Sequence, residues 1–293
     1  MRVVKEKANA KLNLYLDVIS RRQDGFHEIK TVMHSVSLAD EITLTYTPSS
    51  TTSVRMQVSG NRYLPADEKN LAVRAALLYL ETAHKNAIID IKLNKRIPIA
   101  AGLAGGSSDA AATLRAMNKI FGRMFTDKAL YKMAERLGSD VPYCLYGKTA
   151  LCEGRGERIT KLPDSLKLNV VVAISHERVS TPTAYSELDE VFNSFDGSAL
   201  TGGERYYDSL VSSLNAGENI SPFIFNVFER AVLPHCAGAT AIKKRLIELG
   251  AVGALMSGSG PSVFGIFDTY EQALAACRAL REENVLAYAA TSV

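Results

Sequence analysis

A glycine-rich segment in the first half of the chain has the residue types of an anion-binding loop. The segment Arg96–Ala112 reads RIPIAAGLAGGSSDAAA and passes from an apolar strand pattern directly into an alanine-rich helix. A helix that begins after such a loop offers unpaired backbone N–H groups and the positive end of its dipole to an anion. Gly102, Gly105 and Gly106 allow the main chain to approach a phosphate without interference from a Cβ atom. The segment therefore predicts a phosphate-binding loop.

Two serines follow these glycines, and their hydroxyl groups suit the same chemistry. Ser107 and Ser108 are predicted to cap the helix and to point a hydroxyl at a phosphate or at its metal ion. The loop is neither a Walker A loop, which needs Gly-Lys-Ser or Gly-Lys-Thr, nor a Rossmann GxGxxG loop. The alternative is a flexible turn before a packed helix.

The first strand of the chain, ANAKLNLYLDV, carries a second candidate group. Its apolar residues alternate with polar ones, so Lys11, Asn13, Tyr15 and Asp17 share one face. A cation and an amide two residues apart on a strand can enter the same cleft. The alternative for this face is plain exposure to solvent.

A carboxylate follows a predicted helix near residue 137. The helix pattern ends at Gly138, and Pro142 biases Val141 towards extended geometry, which predicts Asp140 in a fixed turn. A carboxylate held in this way can accept a proton from a substrate. The alternative is a carboxylate that only stabilises the turn or caps a helix.

Composition and charge exclude several classes of protein. The 293 residues are 47% hydrophobic and 22% charged, which is typical of a soluble globular protein with room for two domains. The net charge of +3 is too small to indicate a nucleic acid or an anionic membrane as partner. Neither a signal peptide nor an apolar run of ~20 residues is present, which predicts a cytoplasmic protein. The cysteines have neither metal-site nor disulfide spacing: Cys144, Cys152, Cys236 and Cys277.

The elements that must position these residues alternate between strands and helices. In the N-terminal half, a strand pair around the polar turn TPSSTTS is predicted as a hairpin, followed by the helix EKNLAVRAALLYLETA and the strand IIDIKL. A polar segment over residues 155–168 predicts a domain boundary, with domains 1–160 and 161–293. In the second half, the patterns predict a strand, two helices, a strand pair, a further helix and a closing strand. The first strand is NVVVAIS, the two helices are SPFIFNVFERAVL and AIKKRLIEL, and the strand pair is AVGALMSG and SVFGIF. This order favours a ferredoxin-like α+β domain. Residues 193–217, rich in Ser, Gly and Asp, predict an exposed connection.

Three segments, AKLN, PIAAGLAGGSSDA and SGSGPS, resemble in order and spacing the three motifs of the GHMP kinases. On its own, SGSGPS also fits a simple hairpin turn between two strands. The resemblance implies an α+β fold of two domains with the active site in the cleft between them. Residues 1–160 would form a ribosomal-protein-S5-like domain that binds ATP and carries the catalytic residues. Residues 161–293 would form a ferredoxin-like domain that contributes substrate and phosphate contacts.

Four segments narrow the resemblance to one branch of that superfamily. AKLNLYLDV, RRQDGFHEIKTVM, EKNLAVRAA and LGSDVPYCL are similar to the kinases that phosphorylate the 2-hydroxyl of diphosphocytidyl methylerythritol with ATP in the non-mevalonate route to isoprenoid precursors. The resemblance implies Lys11 and Asp140 as the catalytic pair. It also implies that Asn70 and Leu71 help to wall the adenine pocket. The implied ATP loop, called the glycine loop below, comprises Pro98, Ile99, Ala100, Ala101, Gly102, Leu103, Ala104, Gly105, Gly106, Ser107 and Ser108.

The same resemblance implies a pocket for the cytosine of the substrate. Its residues are Phe26, His27 and Tyr185, and Phe26 stands where Tyr is common, which keeps the stacking face. Asn13 and Thr181 are implied as further substrate-binding residues. Mg²⁺ is expected with ATP, with Ser108 as an indirect ligand and the other metal ligands unassigned. The implied partners are the small-molecule substrate and ATP, without nucleic acid or membrane, and the chain is expected to be a monomer or a weak homodimer.

Elementary chemistry agrees with the implied catalytic pair. Asp140 can accept the proton of the attacking hydroxyl, while Lys11 can keep that carboxylate ionised and offset charge in the transition state. Two alternatives stay open from the residues alone. One is a GHMP kinase for another small alcohol, such as homoserine or mevalonate, and the other is a catalytically silent metabolite sensor with the same fold.

Overall fold

The computed structural model describes residues 1–191 and 203–293, and their contacts fall into two compact units. The first unit comprises Met1–Ala10, Ala39–Ile99 and Ala104–Gly147. The second unit comprises Lys11–Leu38, Ala100–Leu103 and Lys148–Val293. These units differ from the predicted division into residues 1–160 and 161–293, because the first two strands each contribute to both. That division stays a prediction for the family domains.

Two long strands, β1 (Arg2–Arg21) and β2 (His27–Pro48), carry the chain through both units. The first unit adds β3 (Ser53–Ser59), α1 (Leu71–Ala83), β4 (Ala87–Asn94), α2 (Gly105–Ile120), α3 (Asp127–Leu137) and α4 (Val141–Tyr146). Its core lies between the strands and the helices α1, α2 and α3. The apolar, alanine-rich faces of these helices are buried there. The predicted helices and the strand IIDIKL are confirmed within a few residues.

The predicted hairpin around TPSSTTS is wrong. Strand β4 lies between β2 and β3, pairing antiparallel with β2 and parallel with β3. Alternate residues of β4, namely Ile89, Ile91 and Leu93, are buried in the core. β4 therefore occupies the position beside β2 that β3 would have taken in the predicted hairpin.

Two local predictions near the glycine loop also need correction. Helix α2 begins at Gly105 after Ala104, whose φ of 55° is left-handed and whose side chain cannot cap. Ser107 and Ser108 therefore lie inside the first turn and are not caps. Val141 is helical rather than extended, because Pro142 lies in the first turn of α4, where its missing N–H costs no hydrogen bond.

The second unit contains a four-stranded sheet with the order β11-β7-β10-β9 and antiparallel neighbours throughout. This order confirms the ferredoxin-like prediction. Two further strands join the second-unit segments of the long strands: β5 pairs with β2, and β8 pairs with β1. The elements of the unit are β5 (Thr149–Gly154), β6 (Arg158–Lys161), β7 (Asn169–Ile174), α5 (Thr181–Val191), α6 (Glu204–Ala216), β8 (Phe225–Asn226), α7 (Glu229–Val232), α8 (Ala237–Glu248), β9 (Gly253–Met256), β10 (Ser262–Phe267), α9 (Tyr270–Glu282) and β11 (Leu286–Thr291).

Two predictions for this half are wrong. The segment SPFIFNVFERAVL is not one helix, because Phe225 and Asn226 pair with β1 and the Asn226 side chain accepts the Phe228 N–H. The exposed connection predicted over residues 193–217 is replaced from Glu204 onward by helix α6, which buries Leu210. Residues 193–202 of that segment lie outside the described residues.

Candidate active site

Lys11 lies on β1 and is almost completely buried, with 4% of its surface exposed. Its Nζ donates to Asn13 Oδ1 at 2.6 Å and to the carbonyl of Gly102 at 2.7 Å. The Lys11 backbone N–H donates to the carbonyl of Leu103 at 3.2 Å. Both the side chain and the main chain of Lys11 thus hold the glycine loop. The alternative of a solvated strand face is excluded, because Lys11, Asn13 and Asp17 are all buried.

The SGSGPS segment packs against the same stretch of the glycine loop. Ser257 Oγ donates to the Gly102 carbonyl at 3.1 Å, and the Ser262 hydroxyl donates to the Ala101 carbonyl. Gly102 has a φ of +72°, and a Cβ added there would lie 2.1 Å from the Ser257 carbonyl oxygen. Only glycine fits this position. The segment is the hairpin turn between β9 and β10, and it also supports the loop.

The start of α2 presents backbone rather than side chains. Gly105 is partly exposed and Gly106 is exposed, and the first N–H groups of a helix have no partner within it. Ser108, by contrast, is buried, and its hydroxyl donates to the Asn9 carbonyl. The first turn therefore offers a place for an anion at its glycines, while the Ser108 proton is already committed to the main chain.

A buried charge cluster lies directly beside this helix start, within the first unit. Lys95 Nζ donates to Asp40 Oδ2 at 2.5 Å and to Asp109 Oδ2 at 2.6 Å. Asp40 Oδ1 accepts the N–H groups of Arg96 and Ile97, where the chain enters the loop. Burial raises the pKa of Asp109 to about 8, the Lys95 ammonium lowers it and the Asp40 carboxylate raises it. The cluster joins the entry of the glycine loop to helix α2.

Asp140 immediately precedes α4 in the first unit. Its side chain makes no capping hydrogen bond to that helix and is partly exposed. The alternative role of Asp140 as a side-chain cap of a helix, which the sequence left open, is therefore wrong. Lys11 belongs to the second unit, so the pairing of these two residues stays a prediction.

The predicted adenine residues have different surroundings. Asn70 is the N-cap of α1, where its side chain accepts the Ala72 N–H at 2.9 Å and donates to the Pro65 carbonyl at 2.9 Å. Leu71 is the nearest side chain to Gly106, since a Cβ added at that glycine would lie 3.8 Å from Leu71 Cδ1. Leu71 therefore lies beside the glycine loop, and Asn70 fixes the helix that carries it.

Two of the predicted cytosine residues, His27 and Tyr185, contact each other in the second unit. The rings of His27 and Tyr185 stack with centroids 4.6 Å apart, and His27 Nε2 lies 2.9 Å from Asp189 Oδ1. Phe26 is 52% exposed, with the Arg155 guanidinium 5.0 Å from its ring centroid. The exposed Thr181 begins α5, and its hydroxyl lies 3.1 Å from that of Ser259 in the SGSGPS turn. This turn therefore has one side on the glycine loop and another on α5.

Several residues of this site are absent from the sequence-based prediction. Asp189 lies four residues after Tyr185 on α5, a helical spacing that could have indicated it. No local pattern identifies three further residues that bond to Asn13 or to the glycine loop from distant segments: Thr31, Ser257 and Ser262. Within residues 1–191 and 203–293, no group of three or more His, Cys, Asp or Glu side chains is arranged to hold a metal ion. No helix of these ranges combines the length and hydrophobicity needed to cross a lipid bilayer.

Comparisons with known proteins identify the family to which the chain is similar. The family model of the GHMP kinases N terminal domain matches residues 70–148, and that of the GHMP kinases C terminal matches residues 210–286. The 4-diphosphocytidyl-2-C-methyl-D-erythritol kinase of Clostridium beijerinckii is 40% identical over 267 residues, which cover 90% of this chain and 91% of that protein. A crystal structure of 4-(cytidine 5'-diphospho)-2C-methyl-D-erythritol kinase matches with a TM-score of 0.81 at 35% identity, covering 98% of both chains. The homoserine kinase of Cytophaga hutchinsonii matches with a TM-score of 0.73 at 24% identity, covering 100% of this chain and 95% of its own, a likeness of fold alone.

Proposed function

We propose roles for the residues of this site from one premise: the chain belongs to the 4-diphosphocytidyl-2-C-methyl-D-erythritol kinases, a branch of the GHMP kinases. The chain is therefore an ATP-dependent kinase that acts on a small molecule. The proposed reaction of this chain is transfer of the γ-phosphoryl group of ATP to the 2-hydroxyl of 4-diphosphocytidyl-2-C-methyl-D-erythritol, a step of non-mevalonate isoprenoid precursor synthesis.

Asp140 is the proposed general base. As the 2-hydroxyl oxygen forms its bond to the γ-phosphorus, the hydroxyl proton passes to the Asp140 carboxylate. The bond between the γ-phosphorus and the β-phosphate oxygen breaks, and ADP leaves. A side chain that caps no helix and is partly exposed is available for this role. Lys11 is proposed to orient the hydroxyl and to stabilise the negative charge that develops on the transferred group.

The contacts of Lys11 carry this proposal. Its Nζ donates to the amide oxygen of Asn13 and to the backbone carbonyl of Gly102, and these two bonds orient the ammonium group. Because the Gly102 carbonyl belongs to the glycine loop, the ammonium group is fixed to the same loop that is proposed to hold the phosphates. Burial also strengthens any electrostatic interaction that the ammonium makes.

ATP is proposed to place its phosphates against the first turn of α2. The N–H groups of Gly105, Gly106 and Ser107 lie at the positive end of that helix. Mg²⁺ would be held mainly by phosphate oxygens and water, as is usual for this ion, since the described residues contain no ready cluster of ligands. When bound, it supplies charge neutralisation to the phosphates. Ser108 is not proposed as its ligand, because the hydroxyl is buried against Asn9.

The cytosine of the substrate is proposed to bind at Phe26, His27 and Tyr185. Aromatic faces stack on bases, and the imidazole supplies hydrogen bonds to the edge of the base. Thr181 is proposed to contact the substrate beside the SGSGPS turn, and Asn13 to do so beside Lys11. A cytoplasmic location, the absence of nucleic-acid partners and a monomeric or weakly dimeric state stay predictions from the sequence.

The test is an ADP-release assay with three acceptors: 4-diphosphocytidyl-2-C-methyl-D-erythritol, homoserine and mevalonate. We expect turnover with the first acceptor only. Preference for homoserine or mevalonate, or binding of ATP without transfer to any acceptor, would contradict the proposed function.

The role of Asp140 has its own test in the same assay. Asp140→Asn is expected to lower kcat by roughly 10²–10⁴-fold while ATP affinity and thermal stability stay near those of the unmodified protein. Asp127→Asn, which changes an exposed carboxylate at the start of α3, is the matched control and is expected to keep full activity. Near-normal turnover of Asp140→Asn would assign this carboxylate to local structure alone.

A further inference from the structure

Three buried side chains on β1 and β2 form a hydrogen-bond chain that ends at Lys11. Thr31 Oγ1 donates to the Tyr15 carbonyl at 2.5 Å, and Asn13 Nδ2 donates to Thr31 Oγ1 at 2.8 Å. Asn13 Oδ1 then accepts from Lys11 Nζ at 2.6 Å. Thr31, Asn13 and Lys11 expose 0%, 2% and 4% of their surfaces. All of these residues lie in the second unit.

The chemistry of these groups fixes the direction of every bond. A backbone carbonyl can only accept, so the single hydroxyl proton of Thr31 is committed to Tyr15. The Thr31 oxygen can then only accept from its other neighbour, and the Asn13 amide must present its NH₂ group there. The amide oxygen is thereby directed at Lys11. The orientation of Asn13, which is ambiguous from shape alone, is set by Thr31.

We propose that Thr31 is a positioning residue for the phosphoryl transfer, acting through Asn13 on the ammonium group of Lys11. Without the Thr31 hydroxyl, the Asn13 NH₂ group has no acceptor there and the amide is free to rotate by half a turn. The rotated amide would present two N–H donors to an ammonium group, which is itself a donor and a cation. Because the site is buried, the lost hydrogen bonds cannot be replaced easily by solvent.

This inference rests on the proposed role of Lys11, and it adds a residue that never touches the reacting atoms. Thr31 differs from valine only in the hydroxyl group, so Thr31→Val keeps the shape of the side chain and removes the bond that directs Asn13. Thr31→Ser keeps the hydroxyl and removes only a methyl group. The two variants therefore separate the hydrogen-bond direction from the packing of β2.

The experiment measures kcat and both KM values in the ADP-release assay. We expect Thr31→Val to lower kcat about tenfold or more, the size expected for a hydrogen bond to a charged group, with the KM for ATP nearly unchanged. Thr31→Ser is expected to recover most of the lost kcat. Thr113→Val, which removes a buried hydroxyl that donates to the Asp109 carbonyl of its own helix, is the matched control with unchanged kcat.

A double-mutant cycle tests the route through Asn13. In an Asn13→Ala background, Thr31→Val is expected to cause no further loss of kcat, because the amide that it directs is absent. A Thr31→Val enzyme with kcat within twofold of the unmodified enzyme, or the same loss in both backgrounds, would overturn the inference. If Thr31→Val does not fold, Thr31→Ala serves in the same cycle with the same expected outcomes.

The failure of this inference is distinguishable from failure of the proposed function. If the Lys11→Ala variant kept near-normal turnover, the proposed role of Lys11 itself would be rejected. A large loss of kcat in Lys11→Ala beside a normal Thr31→Val enzyme would retain that role and reject only the positioning by Thr31.

Discussion

His27 is fixed by two contacts of different kinds. Its ring stacks on Tyr185 with an angle of 24° between the planes, and its Nε2 lies 2.9 Å from an oxygen of Asp189. The ring plane and the direction of one nitrogen are therefore set before any ligand binds. Phe26, next in sequence, is half exposed, with the Arg155 guanidinium over its ring. A fixed imidazole next in sequence to a half-exposed aromatic ring suits a flat heterocyclic base.

We predict that Phe26→Ala raises the KM for the cytidyl substrate about tenfold or more, since stacking on an aromatic face is worth about 1–3 kcal/mol per base. His27→Ala is expected to have a similar effect. Some loss of kcat accompanies it, because binding energy from the base helps to orient the reacting hydroxyl. Steady-state kinetics with each substrate varied in turn provide the measurement.

The KM for ATP separates this prediction from a general loss of function. It is expected to stay near its normal value in both variants. Tyr63→Ala is the control, because Tyr63 is a 77% exposed aromatic residue of the first unit. An unchanged KM for the cytidyl substrate, or a parallel loss of ATP binding, would reject the cytosine pocket.

At the scale of elements, the start of α2 has two adjacent glycines with different surroundings. A Cβ on Gly105 would lie 3.0 Å from both Ile97 Cγ2 and Lys95 Nζ. Lys95 cannot easily move, since two carboxylates hold its ammonium group. A Cβ on Gly106 would lie 3.8 Å from Leu71 Cδ1, an ordinary van der Waals distance. A side chain at position 105 would therefore be crowded, whereas position 106 has ordinary space for a methyl group.

Gly106→Ala is therefore predicted to leave the melting temperature unchanged or slightly higher, because alanine favours a helix more than glycine does. Its affinity for ATP is expected to fall about tenfold, the loss that follows when one charge-assisted hydrogen bond is displaced. Calorimetry measures the affinity. Thermal unfolding without nucleotide measures the stability.

Gly105→Ala provides the comparison. It is expected to lower the melting temperature even without ATP, because its methyl group enters the space beside Lys95. If Gly106→Ala bound ATP normally, the first turn of α2 would not be the phosphate site.

The sequence predicts elements with local patterns and fails where pairing is decided at long range. Helix α3 is recognised from its Thr126 cap and its apolar spacing, and both features are present. The hairpin between β2 and β3 fails because β4, more than thirty residues after the end of β2, takes the position between them. Local alternation of apolar residues gives a strand but not its neighbours.

The candidate site divides in the same way. Lys11 and Asn13 are two residues apart on one strand, so their contact follows from the period of a strand. Thr31 reaches Asn13 only through the register of β1 and β2, which the sequence does not specify locally. Ser257 and Ser262 likewise bond to carbonyls of the glycine loop, and carbonyls carry no sequence signal. Residue types thus indicate the chemistry of the site, whereas the hydrogen bonds that hold its residues in place depend on the tertiary structure.

For the whole molecule, two buried ionisable groups give the stability opposite dependences on pH. His34 bonds to the hydroxyls of Thr149 and Ser292, and burial lowers its pKa to about 4. The unfolded chain binds this proton near pH 6.5, so it binds more protons than the folded chain between pH 4 and 6.5. The contribution of His34 to stability is therefore present above this window and is lost as the pH falls through it.

His34→Gln is predicted to flatten the loss of stability on acidification from pH 6.5 to 4. The shift of the His34 pKa corresponds to a change of about 3 kcal/mol in the free energy of unfolding across this window, since one pKa unit corresponds to ~1.4 kcal/mol. Chemical denaturation at a series of pH values provides the free energies of unfolding. Parallel curves for the variant and the unmodified protein across this window would contradict the prediction.

Asp109 gives the opposite slope. Its pKa rises from 3.8 to about 8 in the folded chain, chiefly through burial, so the folded state binds more protons between these values. Stability from this group is present at low pH and is lost as the pH rises towards 8. We predict that Asp109→Asn, which resembles the protonated carboxyl, removes this decline and leaves the protein at least as stable at pH 8. A steeper alkaline decline in the variant would show that Lys95 needs the ionised carboxylate.

The passage of β1 and β2 through both units has a consequence for the order in which a new chain can mature on the ribosome. All segments of the first unit have been synthesised once Gly147 is made. The loop residues Ala100–Leu103 belong to the second unit, and within them the carbonyls of Gly102 and Ala101 accept hydrogen bonds from Ser257 and Ser262. A nascent chain that stops before Ser257 therefore contains Lys11, Asp140 and every residue of the glycine loop but lacks these supports. Completion of the loop is a late event in the synthesis of each molecule, although its own residues are translated early.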